Sequence, residues 1–185
     1  MNKLLILLAF FSTACFSQWQ LDAEKSEVSF VSTKNLHFRE VHRIQQISAT
    51  IAQQSKVTIE LDLSSIESGI PIRNERMKTM LFDVANTKTA TLSFTLPVAL
   101  DSLEKVARYP LTALLSLHGK SQEVTLDMLL TPAADSITGT LATPVIINAA
   151  DFGLVAGIDA LQKVAGLSSI GHSVPVSATL VLTKS

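Results

Sequence analysis

Val57-Thr58-Ile59-Glu60-Leu61-Asp62-Leu63 alternates apolar and polar side chains without a break. Successive side chains of a strand point to opposite faces, so Val57, Ile59, Leu61 and Leu63 share one side and Thr58, Glu60 and Asp62 the other. A helix would scatter the same residues around its axis. Strict period 2 predicts an antiparallel strand that is wet on one face and dry on the other.

The pattern recurs. Val28, Phe30 and Ser32 alternate with Ser29, Val31 and Thr33. Residues 41–51 read as a second strand, with Ile47, Ala49 and Ile51 on one face. Leu92, Phe94 and Leu96 alternate with Thr91, Ser93 and Thr95. Leu111, Ala113, Leu115 and Leu117 are followed by Gly119-Lys120-Ser121-Gln122, which reads as a hairpin turn. The return strand carries Val124, Leu126, Met128 and Leu130. Residues 137–147 predict a further strand interrupted at Pro144, and Val174, Val176, Ala178, Leu180 and Leu182 form the last apolar face. Two segments have helical spacing instead: 74–81, with Asn74 as its cap, and 157–165, with Gly166 as its stop.

About eight strands with short connections predict an all-β fold with one or two short helices. Eight antiparallel strands can close into a barrel, which removes their exposed edges. A barrel of that size holds its own side chains or one small ligand. A two-sheet sandwich would show the same alternation.

The chain's 185 residues suit one domain. Its start reads as an export signal: Lys3, an apolar run from Leu4 to Phe11, then small residues to Ser17. The run is shorter than the about 20 residues that span a bilayer. Residues 1–17 are therefore assigned to a signal peptide and 18–185 to the barrel domain, with cleavage after Ala14 as the alternative. The chain's one cysteine is Cys15. Ser12-Thr13-Ala14-Cys15 loosely matches a lipoprotein box, except that serine stands where leucine is usual. Cleavage after Ser17 leaves no thiol and no disulfide, which suits the periplasm. Net charge is −1 with no basic stripe, which argues against nucleic acid.

Familiar catalytic signatures are missing. There is no phosphate-binding glycine loop, no Gly-x-Ser-x-Gly elbow and no His-Glu-x-x-His. His37, His42, His118 and His172 do not stand at metal-ligand spacing. His118, Asp151 and His172 are the residues to check for a hydrolytic site. In Arg73-Asn74-Glu75-Arg76-Met77, either arginine could meet a polar or anionic headgroup at a barrel mouth, or simply face solvent.

Several motifs together resemble the YceI-like family. They are Trp19-Gln20-Leu21-Asp22, Ser26-x-Val28-x-Phe30, and Leu61 through Gly69 with Arg73 and Met77 after it. Leu81-Phe82-Asp83, Leu117-His118-Gly119, Ala150 through Leu154 and Ser173-Val174-Pro175-Val176 follow in the family's order. The chain departs from the family's usual pattern at Glu40-Val41-His42-Arg43-Ile44 and at Asn86-Thr87-Lys88-Thr89.

The resemblance implies a lipocalin-like antiparallel barrel with an apolar tunnel, exported to the periplasm, that binds polyisoprenoid chains such as those of quinones or prenyl phosphates. It implies no catalytic residues and no required cofactor beyond such a bound lipid. The expected role is transport or storage of the lipid in the envelope, with transient membrane contact and a homodimer as further expectations. Expected ligand-binding residues are Phe30, Ile59, Leu61, Arg73, Met77, Phe94, Leu117, Leu126, Ile147, Phe152, Val174 and Val176. A non-catalytic interaction module with a filled sandwich core is the alternative, and the presence or absence of a cavity separates the two.

Overall fold

The computed structural model describes residues 19–52 and 55–184. The predicted export signal and Cys15 lie outside the described residues. The described chain opens with β1 (Trp19–Lys34), β2 (Phe38–Ile44), β3 (Ile47–Ile51), β4 (Lys56–Asp62) and the short β5 (Ile66–Glu67). A helix, α1 (Pro71–Arg76), continues into a wider π-type turn over Met77–Leu81. Then come β6 (Thr89–Thr95), β7 (Ala107–Leu117), β8 (Lys120–Pro132), β9 (Ser136–Leu141) and β10 (Val145–Asn148). A second helix, α2 (Val155–Val164), and the strand β11 (Ser173–Lys184) complete the chain.

The strands form one antiparallel sheet in the order β3-β4-β6-β7-β8-β9-β11-β1-β2-β5, with β10 also paired to β11. The sheet curls until β3 packs beside β1. A cleft lined by Trp19, Gln20, Leu21 and β3 runs along this seam, and no ladder joins the two strands there among the described residues. This is a lipocalin-like barrel with an open seam, in eleven strands rather than the eight expected.

The alternation that predicted β4 is fulfilled. Val57, Ile59 and Leu63 are buried inside while Glu60 is exposed. The extra strands come from two breaks. Residues 41–51 divide at Gln45 and Gln46, whose backbone amides donate to Ser65 O (3.2 Å) and Ser65 Oγ (2.9 Å) instead of extending one strand. Residues 137–147 divide between β9 and β10, which pair with successive parts of β11.

The β7–β8 turn is also tighter than predicted. Leu117 pairs with Lys120, so only His118 and Gly119 turn, both with positive φ (51° and 73°). That backbone matches the twist of a two-residue hairpin, and Lys120 to Gln122 belong to β8.

The helices sit close to their expected places. Pro71, not Asn74, opens α1, since a proline at the first helical position sacrifices no hydrogen bond. Asn74 is buried within the helix, and its Oδ1 accepts from the amide (2.9 Å) and hydroxyl (2.6 Å) of Ser68. Gly166 ends α2 with φ 65°, as expected. Both helices cover one end of the barrel, where α2 packs against the Met77–Leu81 turn. Among the described residues no helix is long and apolar enough to cross a membrane.

Candidate functional site

The inner strand faces do not meet across the barrel. They leave a cavity of about 180 Å³ whose 26 lining residues are all hydrophobic. On one side it borders a filled region containing Leu96, Leu100, Leu111, Leu130 and Ile137. On the other it reaches Phe82, Leu154 and Ile158 beneath the helices.

A second cavity of about 450 Å³ lies there, and it shares Phe30, Leu81, Ile158 and Val174 with the first. An apolar lumen thus adjoins a larger vestibule across a shared wall. The vestibule is mixed in character: Ser32, Lys34, His42, Arg73 and Arg76 stand among its apolar lining residues. An apolar pocket with a few convergent polar groups is the usual form of a ligand site.

Strand β2 sets the depth of the polar groups. Phe38, Glu40, His42 and Ile44 project to one face by the two-residue repeat of a strand. Phe38 is exposed, Glu40 half-buried, and His42 only 1% exposed. Glu40 is held by two cations, pairing with Lys34 and with Arg73 Nη1 at 3.0 Å. Burial pushes its carboxyl up, but the Lys34 hydrogen bond and the charges of Lys34 and Arg73 more than offset this, holding it below its ordinary value. Arg76 makes no ion pair among the described residues, so the vestibule carries an excess of positive charge.

His42 is the deepest polar side chain. Its ring lies 5.0 Å from that of Phe30, its partner in the β1–β2 ladder, and Nε2 is 2.8 Å from Ser32 Oγ. Nδ1 is buried with no hydrogen-bond partner. Burial, reinforced by Arg73, lowers its pKa from 6.5 to about 4 against the opposing pull of Glu40. The imidazole is therefore neutral at neutral pH.

The structure sorts the residues expected from sequence. Phe30, Ile59, Leu61, Phe94, Leu117, Leu126, Ile147, Val174 and Val176 line the apolar lumen. Arg73 and Met77 line the vestibule instead, with Phe30 and Val174 common to both. Phe152 lines neither chamber: it is 2% exposed, packed in the core, and borders a small cleft near Asp151. His118, Asp151 and His172 also line neither. His118 Nδ1 lies 3.3 Å from the Phe152 carbonyl, and His172 Nε2 lies 3.6 Å from Asp159. Among the described residues no three His, Cys, Asp or Glu side chains cluster to hold a metal ion.

Sequence reasoning missed His42, Ser32 and Lys34 as vestibule residues. Inward projection of Phe30 implied the same for Ser32 and Lys34 by parity. His42 needed the register of β2 against β1, which the local pattern did not contain. Leu81 and Ile158 fall in the two segments of helical spacing, a pattern that carries no sign of their place at the lumen.

A family model for the YceI-like domain matches residues 19–182. The fold is similar to that of a polyisoprenoid-binding domain from Saccharophagus degradans implicated in plant cell wall breakdown. The two are 31% identical with a TM-score of 0.86, over 91% of this chain and 99% of that one. BcnA of Burkholderia cenocepacia is 21% identical with a TM-score of 0.71, over 87% of this chain and 98% of that one. The YCEI protein of Campylobacter jejuni shares the fold more loosely, at 16% identity and a TM-score of 0.52, over 75% of this chain and 83% of that one. No curated protein matches the chain. With nearly all of its described residues covered by the family model, this chain belongs to the YceI-like family.

Proposed function

We propose that the protein binds a polyisoprenoid or quinone-like lipid, with the apolar chain in the lumen and the polar end in the vestibule. The observation that carries this reading is the lumen itself: 26 lining residues and no polar side chain among them. A filled sandwich core would leave no such space. Apolar cavities of about 150 Å³ stay dry and accept apolar guests. Each methylene taken from water contributes about 0.8 kcal/mol, so a few isoprene units hold the ligand without a strong polar contact. The similarity to the polyisoprenoid-binding domain supports the same ligand class.

The reading is non-catalytic. The lumen offers no nucleophile, acid or base, and in the vestibule the His42 ring beside Ser32 has no partner on Nδ1 to orient it and a pKa lowered to about 4, which makes it a weak base. A carrier or store in the periplasm follows if residues 1–17 are removed on export. Amino-terminal sequencing of the mature protein, with Cys15→Ser as control for lipidation, decides that point.

Gentle purification, lipid extraction and mass spectrometry test the ligand. A bound prenyl lipid, or uptake of added prenyl lipid by the stripped protein, is the expected result. Protein that emerges empty and ignores added prenyl lipids would sink the proposal.

A further inference from the structure

The vestibule is bordered by apolar side chains that the fold leaves uncovered. Leu36 is 73% exposed, Phe38 67%, Ile72 59%, Val164 45% and Ile70 41%. Exposed apolar residues scattered singly need no explanation, but several on the elements that frame one cavity do. Ile70, Ile72 and Val164 themselves line the vestibule. Leu36 and Phe38 belong to the β1–β2 hairpin, whose strand ends supply Lys34, Glu40 and His42 to the same place.

The hairpin tip is built rather than loose. Asn35 Oδ1 accepts from the amide of Ser168 at 2.9 Å, and its own amide donates to Ser169 O at 3.0 Å. The tip is thereby tied to the loop that follows α2. Asn35 and Leu36 both adopt left-handed backbone, φ 47° and 65°. For leucine this conformation is unfavourable, and such strain persists only where the surroundings impose it. The result is a leucine held out in solvent beside a phenylalanine.

The charges around this rim are mainly positive. Arg39 follows Phe38, Lys163 precedes Val164, and Arg73 and Arg76 lie on α1 after Ile72. Of the nearby carboxylates, Glu40 is already shared by Lys34 and Arg73, and Glu75 pairs with Lys78 at 2.9 Å. Arg39, Arg76 and Lys163 make no ion pair among the described residues, and protruding apolar side chains flanked by such cations fit the headgroup zone of an anionic bilayer.

We propose that this rim docks the protein on an anionic membrane surface, with Leu36, Phe38 and Ile72 inserted, so that the vestibule opens against the bilayer. Lipid then passes between membrane and lumen without crossing water. This step rests on the lipid-binding reading, and the experiment separates the two.

The full chain, purified in mature form, is sedimented with vesicles of phosphatidylcholine alone and with vesicles containing 30% phosphatidylglycerol. Binding of a soluble short-chain prenol such as farnesol is measured in parallel without vesicles. Leu36→Ser with Phe38→Ser touches neither cavity, and circular dichroism checks that the pair folds. The wild type is expected to favour the anionic vesicles, with binding reduced by salt. The serine pair should weaken that binding by about tenfold or more while leaving farnesol affinity unchanged. Arg39→Gln and Lys163→Gln should each cost about fivefold.

Wild-type protein that binds farnesol but neither kind of vesicle overturns the docking proposal alone. So does a serine pair that binds vesicles like wild type, or a concentration-dependent dimer that the pair abolishes, since a second copy would then cover the patch. Loss of farnesol binding in the wild type refutes the lumen reading and this proposal with it.

Discussion

A Cβ on Gly157 would stand 2.6 Å from the carbonyl oxygen of Met80 and 2.9 Å from Leu81 Cα. Helix α2 and the Met77–Leu81 turn therefore approach backbone to backbone, which only glycine allows. The contact sits above the lumen, because Leu81 and the neighbouring Ile158 line both chambers. Gly157→Ala forces the two segments apart. The expected cost is about 2 kcal/mol, a fall in Tm of roughly 4–8 °C, with faster exchange of bound lipid. Thermal unfolding and a ligand-release assay check it. An unchanged Tm would mean that the roof yields freely.

Acid should destabilise the protein through His42. Its folded-state pKa is about 4, against an ordinary value of 6.5, because the buried ring resists charging. Between these values the unfolded chain binds more protons than the folded one, so stability falls as pH drops from about 6.5 to about 4. The full difference is worth about 3 kcal/mol at 1.36 kcal/mol per pKa unit. Glu40 adds to the acid loss in the same direction, since its carboxyl is held below its ordinary value. His42→Gln keeps a hydrogen-bonding partner for Ser32 and does not titrate. Denaturant unfolding at pH 7 and pH 4.5 should show a markedly smaller pH dependence in the variant. Equal slopes in the two proteins would exclude His42 as the source.

The lumen was legible in the sequence because its walls are strands. Period-2 patterning assigns each residue a face from its immediate neighbours, so Ile59, Leu61, Phe94, Leu126 and Val176 could be named before any pairing was known. The vestibule was less legible because it assembles from β1, β2, both helices and the 165–171 loop. His42 illustrates the difficulty. Its neighbours Val41 and Arg43 are both exposed, yet His42 is among the most buried side chains. Only its ladder position opposite Phe30 explains that burial. Phe152 shows the reverse: the family motif places it among the expected ligand-binding residues, whereas a short 3-10 turn at Ala149–Phe152 tucks it into the core, away from the lumen.

The β7–β8 turn offers a purely local test. His118 and Gly119 both hold positive φ, and no side chain or backbone atom would obstruct a Cβ at Gly119. Gly119→Ala should therefore destabilise through backbone conformation alone, by about 1 kcal/mol. His118→Asn should be neutral or stabilising, because asparagine tolerates left-handed backbone better than histidine's β-carbon substituent does and is favoured in such turns. Urea midpoints at constant m-value check both. A stabilising Gly119→Ala would show that the turn relaxes to another type.

Blocking the lumen should separate binding from folding. Ala178 on β11 lines the apolar cavity and is only partly buried, so a larger side chain there has room to adjust. Ala178→Phe adds a ring to a space of about 180 Å³. The ring and an isoprenoid chain then compete for the same volume. The added apolar surface is buried inside the barrel, so the empty protein should keep or slightly gain stability, within about 1 kcal/mol of wild type. Lipid affinity should fall by at least about tenfold, since displacing two methylenes' worth of contact already forfeits about 1.6 kcal/mol. Calorimetric titration with a prenol and thermal unfolding of the stripped protein measure the two effects independently. A variant that folds as wild type and still takes up prenyl lipid with unchanged affinity would place the ligand outside the lumen.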